Sequence, residues 1–76
     1  MAVRESDVTG PNPVREYRKE KRVTQAELAE AVGVSRQTII AVERGDYSPS
    51  VYLAIRIARV LERSVEELFI LEEEPR

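Results

Sequence analysis

The chain has 76 residues, twelve basic and fourteen acidic, for a formal net charge of −2. That is the length of one small domain. With no cysteine and no histidine, it can form no disulfide or thiolate metal site, and it lacks the usual general base.

An enzyme would have to work with Asp, Glu, Lys, Arg, Tyr, Ser or Thr, and short helices offer no deep pocket. The expectation is a protein that is not an enzyme and that uses no cofactor or metal. No apolar run approaches the length of a membrane span. The start, MAVRESDVTG, lacks the apolar core of a signal peptide. A cytoplasmic protein with no membrane partner is expected.

Residues 1–11 have no helical period and end in the turn signal Gly10-Pro11. They read as an N-terminal arm or an edge strand. Asn12-Pro13 is a helix start, an Asn cap followed by Pro at the first helical position. This first helix runs to about Lys21. Its apolar content is thin (Val14, Tyr17), so it covers a core rather than forming one.

Thr24 and Glu27 make a capping box for the second helix. Leu28, Ala29 and Val32 are its buried stripe, and Gly33 ends it in the left-handed conformation that glycine adopts cheaply. Val34 sits in the turn. Ser35 caps a third helix from about 36 to 44, in which Ile39 and Val42 face inward, and Gly45 closes it. Ser48-Pro49 reads as the start of a fourth helix, with Val51, Ala54, Ile57, Ala58 and Leu61 as its apolar face. Ser64 and Glu67 form a second capping box for a short fifth helix ending near Phe69. Residues 72–76 are an acidic tail.

Charge is distributed unevenly along these elements. Residues 14–44 hold seven Lys/Arg and five Glu, net +2, whereas residues 62–76 hold six Glu and two Arg, net −4. An acidic balance argues against a nucleic-acid partner. The polarity, however, leaves one mildly basic region, and the acidic end should point away from any phosphate.

The third helix carries the functional signal. If Ile39 and Val42 point in, then Arg36, Gln37, Ile40, Ala41 and Arg44 lie on or near the opposite face. Arg can donate two hydrogen bonds to the guanine edge, and Gln can pair with the adenine edge. Both are in the first turn, which enters a major groove most deeply in a recognition helix. Ala41 permits close approach, and Ile40 could meet a thymine methyl or be an incidental surface residue. The N-terminus of the second helix, at Thr24 and Gln25, suits a phosphate. Ser35, at the start of the third helix, is a further phosphate candidate, and Arg44 and Tyr47 could hold the DNA backbone on the other side. The bland alternative for these groups is a solvated polar face.

Three stretches, Gln25-Ala26-Glu27-Leu28-Ala29, Val34-Ser35-Arg36-Gln37-Thr38-Ile39 and Glu43-Arg44-Gly45, resemble the phage-repressor-like (Cro/repressor, XRE) helix-turn-helix family. So do Pro49-Ser50-Val51, Ala54, Arg56-Ile57-Ala58, Leu61 and the run Ser64-Val65-Glu66-Glu67-Leu68-Phe69. The resemblance covers roughly residues 14–69 without gaps. It implies an all-α, five-helix, lambda-repressor-like DNA-binding domain that acts as a dimer on a near-palindromic operator. By position it implies base reading by Arg36, Gln37 and Ala41, and phosphate contact by Thr24, Gln25 and Arg44. It also implies an ion pair between Arg18 and Glu43 that ties the motif to the scaffold. The chain departs from the pattern at Arg22, where many members have glycine, and in being less basic.

Tyr52 and Ile55 remain as apolar leftovers of the fourth helix, and Phe69, Ile70 and Leu71 need cover. The expected homodimer interface is therefore Tyr52, Ile55, Phe69, Ile70 and Leu71, with a strand at 69–71 that could pair with residues 2–8. The domain is expected to span residues 12–71. The leading reading is a sequence-specific transcriptional regulator, a dimeric repressor bound to double-stranded DNA. The alternatives are an antitoxin that binds a toxin protein and autoregulates, and a DNA-inactive interaction module.

Overall fold

The computed structural model describes residues 12–69, and five helices follow one another along them. They are α1 Pro13–Glu20, α2 Gln25–Val32, α3 Arg36–Arg44, α4 Val51–Leu61 and α5 Val65–Leu68. No strand occurs among the described residues. The expected arm at 1–11, the strand at 69–71 and the tail at 72–76 lie wholly or mostly outside them, as do Ile70 and Leu71.

Each helix begins on a side chain that satisfies an orphan backbone N–H. Asn12 accepts from Val14 N–H at 3.2 Å, with Pro13 in the first turn. Thr24 accepts from Glu27 N–H at 3.0 Å while Glu27 accepts from Thr24 N–H at 2.8 Å. Ser35 accepts from Thr38 N–H at 3.2 Å, and Ser64 and Glu67 repeat the reciprocal box. Such caps contribute about 1 kcal/mol each, and helices this short are marginal in water by themselves. Packing must hold them.

The start of α4 differs from the sequence expectation. Its cap is Ser50, accepting from Leu53 N–H at 3.1 Å, and not Ser48. Pro49 therefore stands outside the helix. The buried face follows from that register: Leu53, Ala54, Ile57, Ala58 and Leu61 are buried, while Val51 is 73% exposed. Val51 lies one turn before the others but beyond the edge of the core.

The core gathers Val14 of α1, Leu28, Ala29 and Val32 of α2, Ile39 and Val42 of α3, the α4 face and Leu68 of α5. Fully burying a Leu or Ile contributes about 1.5–3 kcal/mol relative to leaving it exposed. The five largest such residues, Leu28, Ile39, Ile57, Leu61 and Leu68, therefore outweigh all the caps together. Half-buried Tyr17, Val23, Val34, Val60, Val65 and Phe69 pack around them.

The links set the helix angles. Gly33 ends α2 at φ 79° and Gly45 ends α3 at φ 82°, both in the left-handed region. Val34 N–H donates to Ala29 C=O at 3.0 Å, which closes the turn between α2 and α3. Arg22, in the α1–α2 link, takes the same left-handed conformation at φ 59°. The geometry that glycine would give is thus kept by an arginine, at a cost of roughly 1–2 kcal/mol for a residue with a Cβ. Behind the core, Lys21 donates to Glu62 at 2.8 Å. Arg63 lies 4.3 Å from the Tyr17 ring centroid and 3.5 Å from Glu20, joining α1 to the α4–α5 corner.

Candidate nucleic-acid interface

α3 has one inward and one outward side. Ile39 and Val42 are fully buried. Arg36, Gln37 and Arg44 are exposed, and Ile40 and Ala41 are half-buried between them. Residues 36, 40 and 44 are four apart and stack into one stripe, with 37 and 41 beside it. The five side chains expected to face DNA on this helix therefore share one surface.

Glu43 is the exception on this helix, a carboxylate that is only 3% exposed. Its partner is Arg18, 7% exposed, whose Nε and Nη2 donate to the two carboxylate oxygens in a fork. Arg18 Nη1 also donates to Val23 C=O at 2.9 Å, and Gln25 Nε2 donates to Glu43 Oε1 at 3.1 Å. No buried side-chain polar atom among the described residues lacks a partner. Asn12 adds two bonds to the same end of α3, from Nδ2 to Val42 C=O at 2.7 Å and from its N–H to Glu43 C=O at 3.3 Å. This layer fixes the angle of α3 against α1 and α2.

The phosphate candidates separate into two groups. Gln25 lies beside the α3 surface, with one amide proton spent on Glu43 and a second remaining. At the head of α2, Thr24 and Glu27 satisfy each other, so the N–H groups of Gln25 and Ala26 are the donors that a helix start leaves for an anion. The Ser35 hydroxyl caps α3 and shares a 3.0 Å hydrogen bond with Thr38 Oγ1, so both its lone pairs and its proton have partners within the chain. Tyr47 stands elsewhere. It lines an apolar groove of about 290 Å³ with Val51, Ile55, Val65 and Phe69. A second cleft, of about 340 Å³, lies between α1, α2 and α3. Its lining is Arg15, Arg18, Gln25, Ile40, Glu43 and Arg44. Arg15 was not singled out from the sequence; its spacing of three from Arg18 is the signal that could have found it.

Of the residues expected at a dimer interface, Tyr52 is 76% exposed and Ile55 is 37% exposed on α4, while Phe69 is half-buried against the core. The acidic groups gather around α5. Hydrogen bonding from Lys21 holds the Glu62 carboxyl below its ordinary value of 4.5. The Ser64 backbone N–H does the same for Glu67. Among the described residues no group of His, Cys, Asp or Glu is arranged to hold a metal, and no helix is long and apolar enough to cross a membrane.

Residues 14–68 match the helix-turn-helix family. An uncharacterized HTH-type transcriptional regulator of Methanothermobacter thermautotrophicus is 63% identical over 62 residues, covering 80% of this chain and 90% of the relative. The uncharacterized HTH-type transcriptional regulator YgzD of Bacillus subtilis is 46% identical over 63 residues, covering 83% and 96%. Among solved structures, the P22 c2 repressor in complex with a synthetic operator superposes with a TM-score of 0.72 at 30% identity, covering 75% of this chain and 86% of the repressor. These relatives are transcription regulators rather than enzymes.

Proposed function

The chain belongs to the helix-turn-helix family and is a DNA-binding transcriptional regulator, and on that premise we propose that it is a dimeric cytoplasmic repressor of a near-palindromic operator. α3 lies in the major groove. Arg36 and Gln37 read base edges, Ala41 allows close approach and Ile40 meets a thymine methyl. The backbone N–H groups at the start of α2, with Gln25 and Arg44, hold phosphates on either side. The observation that carries this reading is the single exposed stripe on a helix whose other side is sealed into the core.

The second copy docks through α5 and the segment after it, with Tyr52 and Ile55 of α4 at its edge. Exposed apolar side chains on α4 and the apolar groove beside them support this. A two-fold pair would set the two α3 helices about 34 Å apart, one DNA turn. Binding-site selection from random duplex DNA tests both parts. Two inverted half-sites spaced by one turn are expected. A single unrepeated half-site would count against the dimer, and no enrichment at all against base reading by α3. Ile70→Asp should shift the solution mass toward the monomer; an unchanged dimer affinity would move the interface elsewhere.

A further inference from the structure

We infer that Arg15 is a DNA phosphate-binding residue, and that the cleft it shares with α2 and α3 seats one backbone phosphodiester. This rests on the reading of α3 as the element in the groove. Asn12 bonds to the carbonyls of Val42 and Glu43, so α1 starts against the last turn of α3. Arg15 follows three residues later, and one further helical step brings Arg18 onto the same side of α1. That side, Gln25 of α2, and Ile40, Glu43 and Arg44 of α3 enclose the cleft of about 340 Å³. Ile40 and Arg44 also belong to the outward stripe that begins at Arg36. The cleft therefore opens at the margin of the surface that faces DNA, where the phosphates bordering a groove pass.

Its chemistry suits an anion. Both Glu43 oxygens are occupied by Arg18, and one also by Gln25, so the carboxylate on the floor is neutralised and covered. Arg18 has used three of its five N–H donors and Gln25 one of its two amide protons. The floor therefore keeps donors but presents no free negative charge. Arg15 and Arg44, both exposed, give the rim its positive charge, Arg44 sharing its own with Asp46 at 3.4 Å. A guanidinium at such a rim can grip two phosphate oxygens at once.

The test compares wild type, Arg15→Gln, Arg15→Lys and, as a control, Arg59→Gln on exposed α4. Binding to a selected operator and to random duplex is measured across a salt series. Arg15→Gln should weaken both DNAs by the same several-fold factor. It should also make the slope of log K against log salt shallower by about 0.9, the signature of one lost phosphate contact. Arg15→Lys should restore the slope, and Arg59→Gln should leave affinity and slope unchanged. Equal affinity and slope for Arg15→Gln and wild type would overturn the inference, and so would a loss confined to the operator. If wild type bound no duplex at all, the reading of α3 would fail first and the inference with it.

Discussion

α3 carries two sets of polar side chains that look alike in sequence and serve opposite ends. Glu43 is turned inward, where Arg18 and Gln25 take its oxygens and no solvent competes. Arg36 and Gln37, one helical turn or more away, are exposed and make no hydrogen bond to another described side chain. The difference shows what separates a structural charge from a reading one. A polar group whose partners belong to its own chain stiffens the scaffold; one left facing solvent at a helix start is available to a partner.

The sharpest way to break the comparison is Glu43→Ala. It leaves the Arg18 guanidinium buried without its counter-charge, and removing one partner of a buried pair costs about 3–5 kcal/mol. Thermal and urea denaturation should show a loss of that size, and a loss under about 1 kcal/mol would mean the pair behaves as a surface one. Arg36→Ala should leave stability unchanged. It should instead cost about 1–3 kcal/mol on the operator and relax one base position. Unchanged cognate and random binding would falsify the assignment of Arg36 to base reading.

Smaller effects come from the two left-handed links. A Cβ at Gly33 would meet nothing within 4 Å, so Gly33→Ala isolates the backbone cost, expected at about 1 kcal/mol of destabilisation. Arg22→Gly should go the other way, gaining up to about 1 kcal/mol after the extra freedom of glycine in the unfolded chain is set against it. Equal and opposite shifts in melting temperature would show that neither side chain matters there. A stabilising Gly33→Ala would contradict the argument.

The smallest effect is electrostatic. Glu67 has a folded-state pKa below its ordinary 4.5. Its contribution is therefore present above about that pH and is lost as pH falls through the folded value. Glu67→Gln keeps an acceptor for the Ser64 N–H but cannot titrate. Melting curves between pH 6 and 3 should accordingly be slightly flatter for the variant, and an unaltered pH dependence would remove Glu67 from the balance.

Much of this architecture was legible because helix ends are written in local chemistry. Asn12-Pro13, Thr24 with Glu27, Ser35, Gly33 and Gly45 each act within a few residues of themselves. The start of α4 was harder, since Ser48, Pro49 and Ser50 offer two cap registers. Only the burial of Leu53 against other helices selects Ser50. The Gln25–Glu43 bond and the shared cleft of Arg15 and Arg44 join residues 18 and 29 positions apart. No local signal carries such pairings. Arg18–Glu43 was anticipated through family resemblance, but its burial was not.

The same separations bear on how the domain assembles. α2 and α3 meet across a short turn, so their contacts close small loops. The bonds from α1 to the end of α3 span 25 residues for Arg18 and 30 for Asn12, and loop closure makes such contacts slower to form. Docking of α1 should then come after the rate-limiting step. Glu43→Ala should speed unfolding while leaving the folding rate nearly unchanged, whereas Leu28→Ala, in the α2–α3 pair, should slow folding. Stopped-flow chevrons that reversed this order would place α1 in the nucleus. On this path the two helices of the motif meet first, and the clamp that sets their presentation to DNA closes last.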